Sequence, residues 1–347
     1  MVMDDLERPD LSQLPADVRR YIAALEDEVA RLRPKADAGA PEAAPDEPPT
    51  TLNVITLTAG GQAKRSPRHL YSRQRRGGMG VFDLETAETD PPIYLTLADE
   101  SDNLLLFTSD GRAFRVAVSA LPAAPVRARG HSLVEHLRLR PHEKIVAALP
   151  ADADQFVVLA SQRGWVRRVR SSYQGKSLIQ GTTFHDVKEG GFLVAACWSD
   201  GAGDLLLATR LGQGVRFAER QVPARGCLGM RVNVDDEVVA VTAVSANSSV
   251  FLLGADGKGA LRQMSGLRAN KAPGAGGKQL MKTERLVQAV AVEPADDLFI
   301  ISQLSKIIRF TVAEAPPKEG VVQGVNCIAL RNDAATAVMR SAPPSET

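Results

Sequence analysis

Asn103-Leu-Leu-Leu-Phe-Thr-Ser-Asp-Gly-Arg-Ala-Phe-Arg115 sets a polar residue, an aliphatic run, a turn and an arginine in a fixed order. The chain writes this sentence six times. Asn53-Val-Ile-Thr-Leu runs to Gly61 and Arg65, Gln155-Phe-Val-Val-Leu to Gly164 and Arg168, and Asp204-Leu-Leu-Leu-Ala to Gly212 and Arg216. Ser249-Val-Phe-Leu-Leu runs to Gly257 and Arg262, and Asp297-Leu-Phe-Ile-Ile to Ser305 and Arg309. The copies are roughly 45–53 residues apart, the period of blades in a propeller-like array.

Each aliphatic run is short, bounded by turn residues and rich in β-branched or aromatic members, which favours strand over helix. Asp110-Gly111 and Asp256-Gly257 are strong hairpin turns, because glycine accepts the positive φ such turns demand. A second apolar run closes most copies, as in Ile93-Tyr-Leu-Thr-Leu and Leu286-Val-Gln-Ala-Val. Strands that do not alternate strictly fit mid-blade positions covered on both faces. The expected fold class is all-β, a six-bladed array over residues 51–340. The sixth copy, with Ser305-Lys306 at the turn, is the most divergent, and poor ring closure is expected there.

The 347 residues have a net charge of +1, which conceals an asymmetry. Residues 1–50 hold six Lys/Arg and twelve Asp/Glu, and the remainder thirty-six against twenty-nine. A basic body with an acidic leader points to an anionic partner. Within the leader, Val18, Ile22, Leu25, Val29 and Leu32 recur at helical spacing between Pro15 and Arg33. The expectation is a helix within residues 1–35 whose stripe (15–33) self-associates as a short coiled coil or docks on another surface. Residues 36–50, rich in Ala, Pro, Asp and Glu, read as a disordered linker. Residues 341–347 read as a disordered tail.

Bases follow the hairpin turns. Lys64, Arg65, Arg68, Arg73, Arg75 and Arg76 lie in a stretch without acids between Thr50 and Phe82, and Arg163, Arg167, Arg168, Arg170 and Lys176 repeat the habit. Further groups are Arg210, Arg216, Arg220, Arg225 and Arg231, which surround only Glu219, then Lys258, Arg262, Arg268, Lys271, Lys278 and Lys282. In a ring of like blades such positions collect on one zone, and a polyanion would bind there with steep salt dependence. The arginine after each turn, from Arg65 and Arg115 through Arg309, has a second reading: it pairs with an acid of its own blade.

Between the first hairpin and its closing strand stands Gln74-Arg75-Arg76-Gly77-Gly78-Met79-Gly80. This resembles the glutamine-arginine-arginine-glycine-glycine-lysine-glycine box of the DNA gyrase A C-terminal domain, and the repeats from Leu52 onward resemble that domain too. The resemblance implies a six-bladed β-pinwheel with strands exchanged between blades. It also implies that double-stranded DNA wraps on the rim, with Gln74, Arg75, Arg76, Gly77, Gly78 and Gly80 required. Arginines suit phosphate, and glycines admit close backbone approach. Met79 departs from the family, which has lysine there, so chiral wrapping is placed in more doubt than binding.

Only about fifty residues precede the repeats, so the sequence reading is a stand-alone, non-catalytic protein without the cleavage domain of a topoisomerase. Tyr21, Tyr71, Tyr94 and Tyr173 have no such domain around them, there is no P-loop, and the five histidines are dispersed. No cofactor, metal or disulfide is expected from three distant cysteines, and no stretch suits a bilayer. The location expected is the cytoplasm, on the nucleoid. An accessory role in supercoiling, beside a type II topoisomerase, is the family-based expectation. The alternatives are a protein-interaction scaffold and an auxiliary topoisomerase subunit.

Overall fold

The computed structural model describes residues 15, 18, 21–22, 47–133 and 137–343. The expected coiled coil, most of the linker and the end of the tail lie outside the described residues.

Six sheets stand around an axis, five of them four-stranded and antiparallel; that of the fifth blade has in addition Pro317–Lys318, paired parallel to Leu261 and Arg262. In the second blade the order from the axis outward is Ile145–Pro150, Asn103–Thr108, Arg112–Ala117 and Thr182–Thr183. The first three strands come from one repeat and the outermost from the next. The same exchange gives His131–Ser132 to the first blade, Cys227–Leu228 to the third, Lys278–Gln279 to the fourth and Val325–Asn326 to the fifth. The sixth blade receives Val81–Phe82 from the first repeat, with Lys306 opposite Phe82 and Ile307 opposite Val81. The two ends of the array are thereby sewn together, which makes the all-β, six-bladed propeller a closed ring.

The aliphatic runs form the second strand of each blade, and their alternating side chains enter two different cores. Leu104 and Leu106 pack between the first and second blades, whereas Leu105 and Phe107 pack between the second and third. Burial on both faces explains why these strands read as unbroken apolar runs. Each such side chain contributes about 1.5–3 kcal/mol on leaving water. The core between the sixth and first blades, with Val54, Leu95, Phe299, Ile301 and Ile307, is built like the others. The inner strands surround an apolar bore with a cavity of about 200 Å³, lined by Tyr94, Val146, Val194, Val241, Ala289 and Thr336.

Ser305 overturns the expected poor closure. It adopts φ 63° at the place where the other hairpins have glycine at φ 74–87°. A side chain in that region costs about 1–2 kcal/mol. The cost is offset because its Oγ accepts from Leu84 N (2.8 Å) and its carbonyl from Asp83 N (2.8 Å), both directly after the strand that closes the ring.

Lys64 and Asp83 form an ion pair with both side chains fully buried. The Lys64 ammonium also donates to the carbonyls of Pro125 and Val126, and Asp83 accepts from Thr56 Oγ1 (2.7 Å) and Tyr71 Oη (2.7 Å). Burial pulls the Lys64 amine below its usual value against the opposing charge of Asp83. Removing one partner of such a pair leaves an uncompensated buried charge and costs about 3–5 kcal/mol. Asp83→Ala is expected to lower the urea midpoint accordingly, and Lys64→Met added to it is expected to recover part of the loss. Equal midpoints for wild type and Asp83→Ala would contradict the account.

Candidate nucleic-acid interface

Arg65, Arg115, Arg168, Arg216 and Arg309 occupy one place in five blades, opposite Ile55, Leu105, Val158, Leu206 and Phe299 on the neighbouring strand. In the fifth blade Leu261 holds that place opposite Phe251, and Arg262 follows one residue later, opposite Val250. The shared place faces into the blade stack. Arg309 is 2% exposed: Nε donates to Asp297 (2.8 Å), Nη1 to the Tyr71 carbonyl (3.0 Å) and Nη2 to Glu47 (2.7 Å). Arg216 donates to Asp204 (2.7 Å) and to the carbonyls of Met264 (2.8 Å) and Leu267 (3.1 Å). Arg115 pairs with Asp152 and donates to the Gln174 carbonyl at 3.2 Å. In all three the carbonyl lies at the short 3₁₀ turn that opens the next repeat's crossover, so the guanidinium clamps one blade to the following one.

The other two arginines at this place, and the displaced Arg262, are less fully bonded. Arg65 lies 3.7 Å from Glu100, and Arg168 lies 3.9 Å from Glu219 with its guanidinium 5.0 Å above the Phe156 ring. Arg262 is buried at 4% exposure and reaches the Gly266 carbonyl at 3.4 Å, while its Nε and Nη1 have no partner among the described residues. Ser249 stands where the fourth and sixth blades have Asp204 and Asp297.

The remaining expected contacts divide by exposure. Lys64 and Arg68 are buried, Arg68 donating to Glu47 at 2.9 Å. Arg167 is partly covered and donates to the carbonyls of Phe184 (2.8 Å) and Ala224 (3.1 Å). Arg73 is exposed but bonded to Asp297 at 3.0 Å, and exposed Lys258 pairs with Asp256 at 2.9 Å.

The glycine-rich box sits at the seam where the ring closes. Gln74 N donates to the Arg309 carbonyl (2.7 Å), and Gly77 N to that of Cys327 (2.9 Å). Gly78 N turns back to Arg75 O (3.1 Å), and Gly80 N to Gln74 Oε1 (3.2 Å). Those amides are spent inside the protein. Gly80 has φ +69°, and a Cβ there would lie 2.7 Å from the Ile307 carbonyl, so glycine is required by the closing strand. Arg76 is held by Glu314 and by the Asn326 carbonyl (2.6 Å). The Arg75 side chain is exposed and has no partner among the described residues.

What does face solvent is the set of crossovers that run from each third strand to the exchanged outer strand. Over residues 68–82, 118–132, 171–183, 219–228, 264–279 and 312–326 there are thirteen Lys/Arg and three Asp/Glu, one of which, Glu219, is buried. Arg75, Arg127, Arg129, Lys176, Arg220, Arg225, Arg268, Lys271, Lys278 and Lys318 are exposed there. The loops that join an inner strand to the next blade have the opposite sign. Asp99, Glu100, Asp102, Asp152, Asp154, Asp200, Glu293 and Asp296 lie in or beside them, and none contains Lys or Arg. Sequence reading missed Arg127, Arg129 and Lys318; the absence of acids from Gly111 through Val134 is the signal that marks the first two.

A closed six-bladed propeller with exchanged outer strands and a cationic rim defines the class. The family profile described as "DNA gyrase C-terminal domain, beta-propeller" matches residues 52–90, 102–152 and 203–245, the first, second and fourth repeats. The gyrase A protein of Mycolicibacterium smegmatis is 28% identical over 310 residues, covering 84% of this chain and 36% of that protein. The gyrase A protein of Staphylococcus aureus (strain MRSA252) is 29% identical over 295 residues, covering 81% and 33%. The chain thus spans about a third of the length of these relatives. A solved DNA gyrase A C-terminal domain superposes with a TM-score of 0.72 at 20% identity, over 83% of this chain and 99% of that one. The C-terminal domain of DNA topoisomerase IV gives 0.60 at 18%, over 84% and 94%. The propeller of this chain is similar to the gyrase A C-terminal β-propeller domain, in fold throughout and in sequence over three of its repeats.

Two measurements check the division between seam and surface. Gly80→Ala is expected to cost roughly 1–3 kcal/mol through strain, whereas Arg75→Ala is expected to change stability by less than about 0.5 kcal/mol; thermal melts of both variants decide. Glu47 supplies a pH test. Burial raises its carboxyl, but the Arg309 and Arg68 guanidiniums outweigh that and hold it below the ordinary 4.5. Its stabilisation is therefore present above the unfolded value and lost as pH falls through the folded one. Glu47→Gln is expected to melt lower than wild type at pH 7, the gap closing below about pH 4.

Proposed function

We propose that this chain binds duplex DNA along its rim, through the backbone, and bends it. The observation that supports this is the charge partition. The buried arginines are mostly neutralised by carboxylates and carbonyls, while the crossovers present cations with few acids among them. Around a ring these recur blade by blade, a spacing that a curved polyanion can follow. Lysine and arginine on phosphate release counterions and set no base preference. Specificity then follows the ease of bending.

The reading assigns Arg75, rather than the whole glycine-rich box, as the direct phosphate contact of the first repeat. The box glycines act by holding the seam. Arg127, Arg129, Lys176, Arg220, Arg225, Arg268, Lys271, Lys278 and Lys318 continue the track. The relatives named above are gyrase proteins, so a role beside DNA supercoiling belongs to this proposal, as does a nucleoid location.

Titration of a labelled duplex at several salt concentrations tests it. Affinity is expected to fall linearly on a log–log plot, and Arg75→Ala to shallow the slope by about one unit without altering sequence preference. Arg216→Ala, by contrast, is expected to lower the melting temperature. A salt-independent signal, or no binding near physiological salt, would sink the proposal and favour a protein-binding scaffold. Nicked-circle ligation in the presence of the protein reads the bend as a change in linking number.

A further inference from the structure

The third repeat's crossover is, with the sixth, one of two that have a single cation. Its single cation is Lys176, and it carries the two large apolar side chains Tyr173 and Ile179 at 67% and 80% exposure. Scattered exposed apolar residues need no explanation by themselves. These two are held outward by a specific frame centred on Arg115. The Gln180 side chain bonds the Arg115 main chain twice, Oε1 accepting from its N (2.9 Å) and Nε2 donating to its O (3.1 Å). The adjacent Ile179 carbonyl accepts from Thr182 N (3.1 Å) and Oγ1 (2.7 Å). On the other side, Gln174 is 1% exposed, and its carbonyl accepts from Arg115 Nη1 at 3.2 Å. Both presenting positions are fixed by one residue of the preceding repeat, so Tyr173 and Ile179 are offered on a braced loop.

The charge around them suits one occupant. Residues 155–185 contain Arg163, Arg167, Arg168, Arg170 and Lys176 and no Asp or Glu. Beside Tyr173 lies a groove of about 510 Å³, lined by Phe156, Arg167, Arg168, Arg170 and Phe184 among others. An apolar protein partner would meet a cluster of guanidiniums here, whereas nucleic acid has both phosphate for the cations and flat base faces for the ring. Minor-groove architectural proteins unstack a base step with apolar side chains and so kink the duplex.

We infer that Tyr173 and Ile179 form a wedge that enters between base pairs of the bound duplex, with Arg170 and Lys176 on the flanking phosphates. The inference rests on the duplex-binding reading and adds a localised kink to a smooth bend. Among the described residues the second and fifth crossovers (118–132 and 264–279) expose no large apolar side chain, and the fourth and sixth expose Leu228 and Val321 at 40% and 48%. The first exposes Met79 at 67% with Leu70, Val81 and Phe82 at 38–43%. The third places its two most exposed ones on a frame braced by Arg115.

Two labelled duplexes of one sequence test it, one intact and one with a central single-nucleotide gap that relieves the stacking cost beforehand. Full-length wild type is expected to prefer the gapped duplex by roughly tenfold or more. The Tyr173→Ser/Ile179→Ser variant is expected to lose that preference while keeping the salt slope on intact duplex and the wild-type melting temperature. A 2-aminopurine at the centre of the intact duplex is expected to brighten with wild type only. Equal affinities for gapped and intact duplex, or a preference that survives the double substitution, would overturn the wedge and leave rim binding standing. Absence of binding to either duplex would overturn both. Self-association of wild type that the double substitution abolishes, without a gap preference, would reassign the patch to a second copy of the chain.

Discussion

A blade made from one repeat alone would expose the edge of its third strand, with unpaired amides and carbonyls. The exchange of a two-residue outer strand covers that edge in every blade, so no repeat completes its sheet without its successor. This one constraint governs the rest. The chain must cross from its own third strand to the outside of the preceding blade, and the crossovers become the outer surface of the ring. They hold the free cations because they are the segments with least packing on them. The sixth blade takes its outer strand from the first repeat, which places the glycine-rich box at the seam.

The arginine that follows each hairpin answers the second demand of the exchange, which is register. A guanidinium that reaches a carboxylate on its own blade and a carbonyl at the start of the next crossover fixes where that crossover begins. Its planar donors suit such divided duty better than an ammonium would. The fully satisfied cases, Arg216 and Arg309, sit in blades whose second strand opens with aspartate. Arg262 stands one residue out of this register and keeps two nitrogens without a partner among the described residues. Electrostatics therefore works twice in this fold: carboxylates are spent inside and at the inter-blade loops, and the cations that remain lie outside.

Much of the architecture was legible before any coordinates. The period, the hairpin glycines and the closing apolar runs give six blades and the order of three strands in each. The outer strands were not legible, since two residues such as Thr182-Thr183 carry no periodic signal. The interface was legible by region but poorly by residue. Arg75 is exposed, whereas Lys64, Arg68, Arg216, Arg262 and Arg309 are buried. Glu47, read as part of the linker, is buried against Arg68 and Arg309. Nothing local marks it, because its partners lie 21 and 262 residues away.

Amino-acid order alone determined that this chain is a repeated all-β array with a basic body, because strand propensity, turn chemistry and composition are local properties. Only the folded ring decided which charges are free. In a blade packed on both faces, neighbouring strand positions enter different cores and alternation no longer separates inside from outside. Whether a guanidinium meets solvent or a carboxylate then depends on a neighbouring blade some fifty residues distant.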